Sequence, residues 1–526
     1  MWGSGLAMHL ANWMQQVGAA SLMTTLTPSP TMIALVQTAA SLPAVFLGLP
    51  AGALADLVER RRWLVFTQLW LLTMVLVTGA TLALGAAGPW SLLALTALIG
   101  VGFALLTPAS QALMGEIVPR AELPAALALA GIGFNVSRIV GPALAGTLIG
   151  FGGGVAVYLA VAACSVGTLV FLWRWPGVPR SSNAPPERLW SALRSGVRYV
   201  RHAPACRVQL LHTLVFMSCG SAIWALLPVL ARDSYGLGQR GYGLLLGAFG
   251  VGGLLGAVVM PMMRRHGPPH RAVAWSALGF GVMTASMAAR LPLPLALCEL
   301  VAGGALWTCG ASSIYAAVQG SLPGWVRARG ISIYNLTYFA GMAGGAAAWG
   351  ACAGIVGTAT TLGVAGCVMA LSALWLRCRP IDGPAFDARD SMAPSDFTLP
   401  TLRPGLVPDD EAVLVQYVYR VRPDSVDAFL RGQASVGRSC RRNGAEFWRL
   451  YRDLHEAGLY IERYVVESWS ELQRQHDRET AEDRWLRARL LGFLEPGSAP
   501  IVRHHAVQAM LLDSAASDVP ALLPTP

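Results

Sequence analysis

The chain has 526 residues, 54% of them hydrophobic and only 13% charged. Soluble domains carry roughly 25% charged residues, so the composition excludes a purely water-soluble protein. The net charge of +10 is unevenly placed: residues 1–380 hold 22 Arg and 7 acidic residues, and residues 381–526 hold 17 and 22. The basic excess therefore sits in the apolar part and reads as a membrane-topology signal; it is not a nucleic-acid footprint.

A spanning helix needs about 20 apolar residues. In chain order, twelve are predicted, at 4–26, 31–55, 63–85, 90–114, 123–150, 154–175, 208–231, 240–263, 271–290, 292–317, 329–353 and 356–378. Alternate loops carry the arginines: Arg60, Arg61 and Arg62, then Arg120, then Arg174 through Arg207, then Arg264, Arg265 and Arg271, then Arg327 and Arg329. The other loops carry only Arg232, Arg240 and Arg290. Basic loops stay inside, which predicts a multi-pass plasma-membrane protein with both termini cytoplasmic. All 39 basic residues are arginine, as a GC-rich bacterial genome gives. No cleavable signal peptide is evident, and no basic residue precedes the first span.

The segment 176–207 divides the spans six and six, into bundles at 1–175 and 208–379. Its "PERLWSALRSGVRYVRHA" sets Leu189, Trp190, Leu193, Val197 and Val200 on one face and Arg188, Arg194, Arg198 and Arg201 on the other. That pattern fits an amphipathic helix on the inner leaflet or a solvated linker helix. The bundles repeat. A shift of 204 residues lays Gly52 on Gly256, Arg60-Arg61 on Arg264-Arg265, Pro119 on Pro323 and Gly141 on Gly345. Parallel six-helix repeats place a substrate between the halves near the midplane.

The fifth span, "GIGFNVSRIVGPALAG" (131–146), carries Arg138 in its middle, with Asn135, Pro142 and Gly131 on the same helical face. A mid-membrane cation faces the bundle interior or a water-filled cavity, where it holds a carboxylate, an anionic substrate or a proton-linked partner; the alternative is a tie to backbone carbonyls. Gly141, Pro142 and Gly146 favour close helix approach and a bend. In the 204-residue alignment, Met342 stands opposite Arg138 and Ala346 opposite Pro142. Glu299, about two turns into the tenth span, is a candidate proton-coupling residue together with Arg138, because a desolvated carboxyl can cycle protons near neutral pH. The nine cysteines show no metal-ligand spacing and read as packing residues. No GxxxxGK[ST] loop is present. No metal, cofactor, nucleic acid or nucleotide motor is expected.

Beyond a Pro/Asp/Ser linker at 380–408, residues 409–510 change character, and 511–526 is expected to be a disordered tail. "EAVLVQYVYRV" alternates as a strand, 424–442 reads as a helix, "EFWRLYRDL" and "LYIERYVVES" form a hairpin, "SELQRQHDRETAEDRWLRARLLGFL" is a helix and "IVRHHAV" a last strand. The order β-α-β-β-α-β is the ferredoxin-like split unit. His455, His476, His504 and His505, with Trp448 and Trp469, are the residues there able to serve acid–base chemistry, but no nucleophile–base arrangement can be read and no catalytic residue is assigned. This cytoplasmic domain resembles the small dimeric α/β barrels related to antibiotic-biosynthesis monooxygenases, which brings a homodimer into consideration.

"GLPAGALADLVERRR" (48–62), through Gly52, Asp56, Arg60 and Arg61, resembles the cytoplasmic motif between helices 2 and 3 of the major facilitator superfamily, with Glu59 in place of its second Gly. "GPALAG" resembles the helix 5 motif of the drug:proton antiporter branch. "NWMQQV", "SLPAVFLGLPAGALAD", "TPASQAL" and "GFNVSRIVGPALAG" resemble the transmembrane secretion effector group, relatives of the enterobactin exporter. The resemblance implies twelve helices in the major facilitator fold, alternating access, and proton-coupled export of a siderophore, drug or other small secondary metabolite. It implies that Gly52, Asp56, Arg60 and Arg61 gate the cytoplasmic side. It also implies that helices 1, 4, 7 and 10 line the cavity, which selects Asn12, Trp13, Gln15, Gln16, Gln111, Trp224 and Trp307 beside Asn135 and Arg138. The rival readings are a membrane-anchored enzyme, with the C-terminal domain catalytic, and a sensor.

Overall fold

The computed structural model describes residues 2–57, 59–117, 122–174, 197, 199–265, 268–322, 326–378, 411–477 and 481–507. They form two compact units, the first holding the apolar helices and the second the C-terminal domain together with Arg194–Pro204 and Pro323–Val326.

In the first unit, the helices are α1 (Trp2–Leu26), α2 (Pro30–Leu57), α3 (Arg60–Ala83), α4 (Pro89–Ile117), α5 (Leu123–Arg174), α6 (Pro204–Asp233), α7 (Gly238–Arg265), α8 (Pro269–Ser286), α9 (Leu293–Ser321), α10 (Arg327–Val356) and α11 (Thr358–Cys378). Among the described residues, ten helices are long and apolar enough to cross a membrane. One of these, within α5, is two spans: the helix breaks at Gly152 and at Gly153, whose φ of 66° only glycine adopts freely. No such break occurs at Pro142, so the expected bend is not a rupture of the helix. Helix α1 is 25 residues long but too polar for that hydropathy test, because Asn12, Gln15 and Gln16 interrupt its apolar run. With α1 and the divided α5, the twelve expected helical segments are present among the described residues.

The turns at 27–29, 84–88, 152–153, 234–237, 290–292 and 357 lie at one end of the bundle, here the far end. The two halves mirror one another. Helix α2 packs on α4 in the first half as α7 does on α9 in the second, and α3 packs on α5 as α8 does on α11. Between the halves, α2 meets α10 and α5 meets α7. Among the described residues, the contacts that join them include a series from the middle to the far end. The Thr31 hydroxyl donates to the Gly350 carbonyl at 2.9 Å and that of Thr38 to the Ala343 carbonyl at 3.0 Å. A Cβ on Gly243 would lie 2.9 Å from the Pro142 carbonyl oxygen and 3.0 Å from the Gly146 Cα, so small residues set how closely the halves cross there.

The repeat holds, with one correction to its register. A Cβ on Gly141 would touch Trp13 Cβ, the Leu10 carbonyl and the Met14 nitrogen. On Gly341 it would touch Met217 Cβ, the Leu214 carbonyl and the Ser218 nitrogen. The contacted positions on α1 and α6 differ by 204, whereas Gly141 and Gly341 differ by 200. Helix α10 has slipped one turn relative to the gap-free alignment. Tyr338, not Met342, is therefore the structural counterpart of Arg138, and Met342 that of Pro142.

The second unit contains β1 (Val413–Arg420), α12 (Val426–Asn443), β2 (Phe447–Arg452), β3 (Leu459–Val466), α13 (Trp469–Asp477), α14 (Ala481–Leu491) and β4 (Ile501–Ala506). The antiparallel sheet has the order β2-β3-β1-β4, which the ferredoxin-like unit requires. One sheet face is buried under the helices by Val413, Val415, Tyr419, Tyr460, Tyr464 and Val466, against Phe429, Val436, Trp469 and Leu490. The other face carries Arg449, Arg463, Gln416 and Arg503 in one cross-strand row.

Candidate functional site

Helix α5 presents Arg138 at mid-span, where it is 6% exposed. Its Nη2 donates to the Thr308 hydroxyl of α9 at 3.0 Å, across the two halves. The fit depends on Gly253 of α7, where any Cβ would overlap the guanidinium. Tyr338 is near enough to feel the arginine's charge. Arg138 Nε has no partner. No carboxylate among the described residues forms an ion pair with it; the partner the structure gives it is the neutral Thr308 hydroxyl.

Gly141, one turn beyond Arg138, seats Trp13 of α1. From Trp13, aromatic rings run across the halves. Trp13 and Trp224 have centroids 5.9 Å apart, and Trp224 and Trp307 5.8 Å. Phe134 borders Trp13, while Phe216, Phe249 and Phe280 complete the cluster around Trp224 and Trp307. The three tryptophans picked out in the sequence are thus brought together, and Trp307 is the chain neighbour of Thr308. The indole nitrogens of Trp13 and Trp224 and the amide nitrogen of Gln15 are buried without an acceptor. Gln15, Gln16 and Trp224 line a small cavity with Gln37 and Tyr242. Gln16 donates to Asn12 on the same helix at 3.3 Å.

Other candidates lie elsewhere. The Ser286 hydroxyl donates to Glu299 Oε2 at 2.6 Å. Glu299 precedes Thr308 by nine residues, about 13 Å along the helix, so it is not part of the Arg138 centre. Tyr235, in the far-end turn, has a buried hydroxyl without a partner; burial and then the Glu299 charge push its phenol up. Arg61 donates to the Leu172 and Trp173 carbonyls at 3.2 and 2.6 Å and so caps the end of α5 within its own half. Gly146 lies against Gly243 between the halves. The side chains of Asp56, Arg60, Gln111 and Asn135, and the surroundings of Gly52, lie outside the described residues, as does most of the amphipathic segment 176–207.

The sequence reading missed Thr308, Gly253, Tyr338 and the role of Arg232. Arg232 Nη1 donates to the Thr24 and Thr27 carbonyls, both at 3.1 Å, and Nη2 to the Pro28 carbonyl at 3.1 Å. It thereby ties the end of α6 to the carbonyl end of α1 across the halves, held in place by Asp233 at 2.6 Å. The available signal was its isolation as an arginine on the arginine-poor side.

In the second unit, the histidines do not assemble. His504 packs edge-on against Trp469 at 5.7 Å, and burial with its neighbour His505 holds its imidazole below the usual range. The His455 amide donates to Asp453 in the hairpin turn, and the His476 side chain lies outside the described residues. The polar centre is Glu462, fully buried, which accepts from the Tyr419 hydroxyl at 2.7 Å and the Trp448 indole at 2.8 Å, with Arg487 at 3.7 Å. Burial holds the phenols of Tyr419 and Tyr464 well above their ordinary range. They stay neutral when folded, whereas unfolded tyrosines ionise near pH ~10. Stability from this source is full below that pH and falls as pH rises above it, because the unfolded chain alone then releases protons. Alkaline titration should therefore show tyrosinate absorbance from these residues rising together with loss of the sheet signal in circular dichroism. Their ionisation in an intact sheet would contradict the assignment.

A family model described as a transmembrane secretion effector matches residues 1–510. The staphyloferrin A transporter of Staphylococcus aureus is 23% identical over 269 residues, covering 50% of the chain and 66% of that relative, slightly under two thirds of its length. The multidrug efflux pump Tap of Mycolicibacterium fortuitum is 26% identical over 325 residues, covering 59% and 78%. Among solved structures, a D-xylose-proton symporter aligns with TM-score 0.59 at 13% identity over 73% of the chain and 98% of its own. The nucleoside transporter NupG aligns with TM-score 0.53 at 14% identity over 71% and 98%. At such identities the structural likeness establishes the fold.

Proposed function

Because the chain belongs to the transmembrane secretion effector family within the major facilitator superfamily, we propose that it exports a small organic metabolite across the bacterial plasma membrane by alternating access, with both termini cytoplasmic. The observation that carries this reading is the Arg138–Thr308 bond beside the tryptophan cluster. It is a buried polar and aromatic centre made by both six-helix halves at mid-span, where rocking of the halves opens it to one side and then the other. Closure from the middle to the far end corresponds to the state that receives cargo from the cytoplasm. The efflux and siderophore transport named for the two relatives support a secondary metabolite or drug as cargo.

Proton influx is the proposed drive, with Glu299, Ser286 and Tyr235 as the proton site at the far end. The test is accumulation of candidate metabolites in inverted vesicles with and without a pH gradient. Substrate-dependent accumulation that the gradient drives, and that Glu299→Gln uncouples, is the expected result. Folded protein that moves none of them would end the exporter reading. Accumulation indifferent to the gradient would end proton coupling alone.

Gly253→Ala is expected to lower transport about tenfold with little change in melting temperature. The added methyl meets the mobile end of Arg138, which can swing away, but only by giving up its bond to Thr308.

The C-terminal unit is proposed to act as a regulatory or docking module and not as an enzyme. Its histidines are scattered, and its buried carboxylate serves Tyr419 and Trp448. A second copy stacked on the open sheet face would set its own arginines against Arg449, Arg463 and Arg503.

A further inference from the structure

The centre at Arg138 has a surplus of one kind of group. It holds a full positive charge, 94% buried, with Nε unpartnered and no ion-pairing carboxylate among the described residues. The neighbouring tryptophan cluster adds the buried Trp13 and Trp224 indole N–H groups, donors without acceptors, and α1 carries another in the Gln15 amide. The seating of Trp13 on Gly141, one turn from Arg138, and the ring contacts from Trp13 through Trp224 to Trp307, the chain neighbour of Thr308, connect the two indoles to the Arg138–Thr308 pair. Its charge interacts with the Tyr338 phenol, and Glu299 is engaged with Ser286 further along α9.

A buried cation without a counter-ion is costly, and unpaired buried donors add to that cost. A ligand bearing negative charge and several oxygen acceptors would relieve both, while the indole faces would take a flat apolar body. A cationic ligand would meet repulsion and find none of its donors matched.

We propose that this site takes an organic anion carrying carboxylate-type oxygens on a planar, largely apolar body. The proposal rests on the reading of the site as the substrate site. The anion competes with Thr308 for Arg138 Nη2, so loading exchanges a bond that ties the halves together for a bond to the cargo.

The experiment is calorimetric titration of the full-length protein in nanodiscs with three matched probes: 2-naphthoate, 2-naphthamide and 2-naphthylmethylammonium. Naphthoate is expected to bind at least tenfold more tightly than the amide, and the ammonium more weakly than both. Arg138→Gln should bring naphthoate down to the affinity of the amide while leaving the amide within twofold. Thr308→Val should tighten naphthoate about threefold, because it frees the guanidinium; this opposite-sign change cannot come from misfolding. Equal binding of carboxylate and amide, preference for the ammonium, or no binding of any probe would overturn the proposal. If charge preference is absent but binding is lost in Trp224→Ala, the anion inference falls and the site stands. If Trp13→Ala and Trp224→Ala together leave naphthoate binding unchanged, the reading of the site falls with it.

Discussion

Transport by the Arg138→Gln protein is expected to fall at least tenfold in inverted vesicles, with normal insertion and folding. The side chain reaches across the halves to Thr308 and is the one full charge at the tryptophan centre among the described residues. Hydrogen bonds from charged groups contribute about 1.5–3 kcal/mol, which corresponds to roughly a tenfold to hundredfold loss when the group is removed. Arg138→Lys should recover little, because an ammonium cannot reproduce the planar fork that lets Nη2 hold Thr308 while Nε stays free for a ligand. The fold should tolerate both changes, since the surrounding helices pack through Gly141, Gly243 and Gly250, against backbone and Trp13 and not through the guanidinium. Unimpaired transport in Arg138→Gln would remove the residue from the mechanism.

Arg232→Ala should open the far end. Three carbonyls at the end of α1 accept from this one guanidinium, and they lie at the negative end of a helix dipole, where a cation is favoured. The side chain is 26% exposed, so the interaction is discounted for solvent to about 2 kcal/mol in total, which shifts a two-state equilibrium roughly thirtyfold. Hydrogen exchange over residues 20–32 reads this directly. Protection there should drop in Arg232→Ala and return in part in Arg232→Lys. Unchanged protection would mean that the halves are held together without this clamp.

Hydropathy alone located the spans because apolar length is a local property, and the arginine alternation grouped the loops for the same reason. The span expected at 4–26 is also present as α1, although Asn12, Gln15 and Gln16 leave that helix short of a purely apolar test. The repeat was legible but its register was not. Helix α10 offers Gly341, Gly344 and Gly345 within five residues, so glycine coincidence cannot tell one turn from the next. Only the packing of Gly341 on Met217 decides, and with it the pairing of Arg138 and Tyr338 as counterparts. Arg138 itself was conspicuous as a lone charge, whereas Thr308, 170 residues away, is one hydroxyl among many. In the C-terminal unit the strand order followed from the element order. Glu462 was visible in phase with Tyr460, Tyr464 and Val466 on the buried face of β3, but its partners Tyr419 and Trp448 come from other strands.

The lack of a fixed counter-ion for Arg138 among the described residues has an electrical consequence. If the cargo is a monoanion, the loaded centre is neutral while the empty centre carries one positive charge. The bilayer potential then acts on the return of the empty carrier and not on the outward step. Moving one full charge through the field involves about 2.3 kcal/mol per 100 mV, and a rocking centre crosses part of it. An inside-negative potential draws the unoccupied arginine toward the cytoplasm, so the membrane voltage itself resets the protein to the side where its cargo is made.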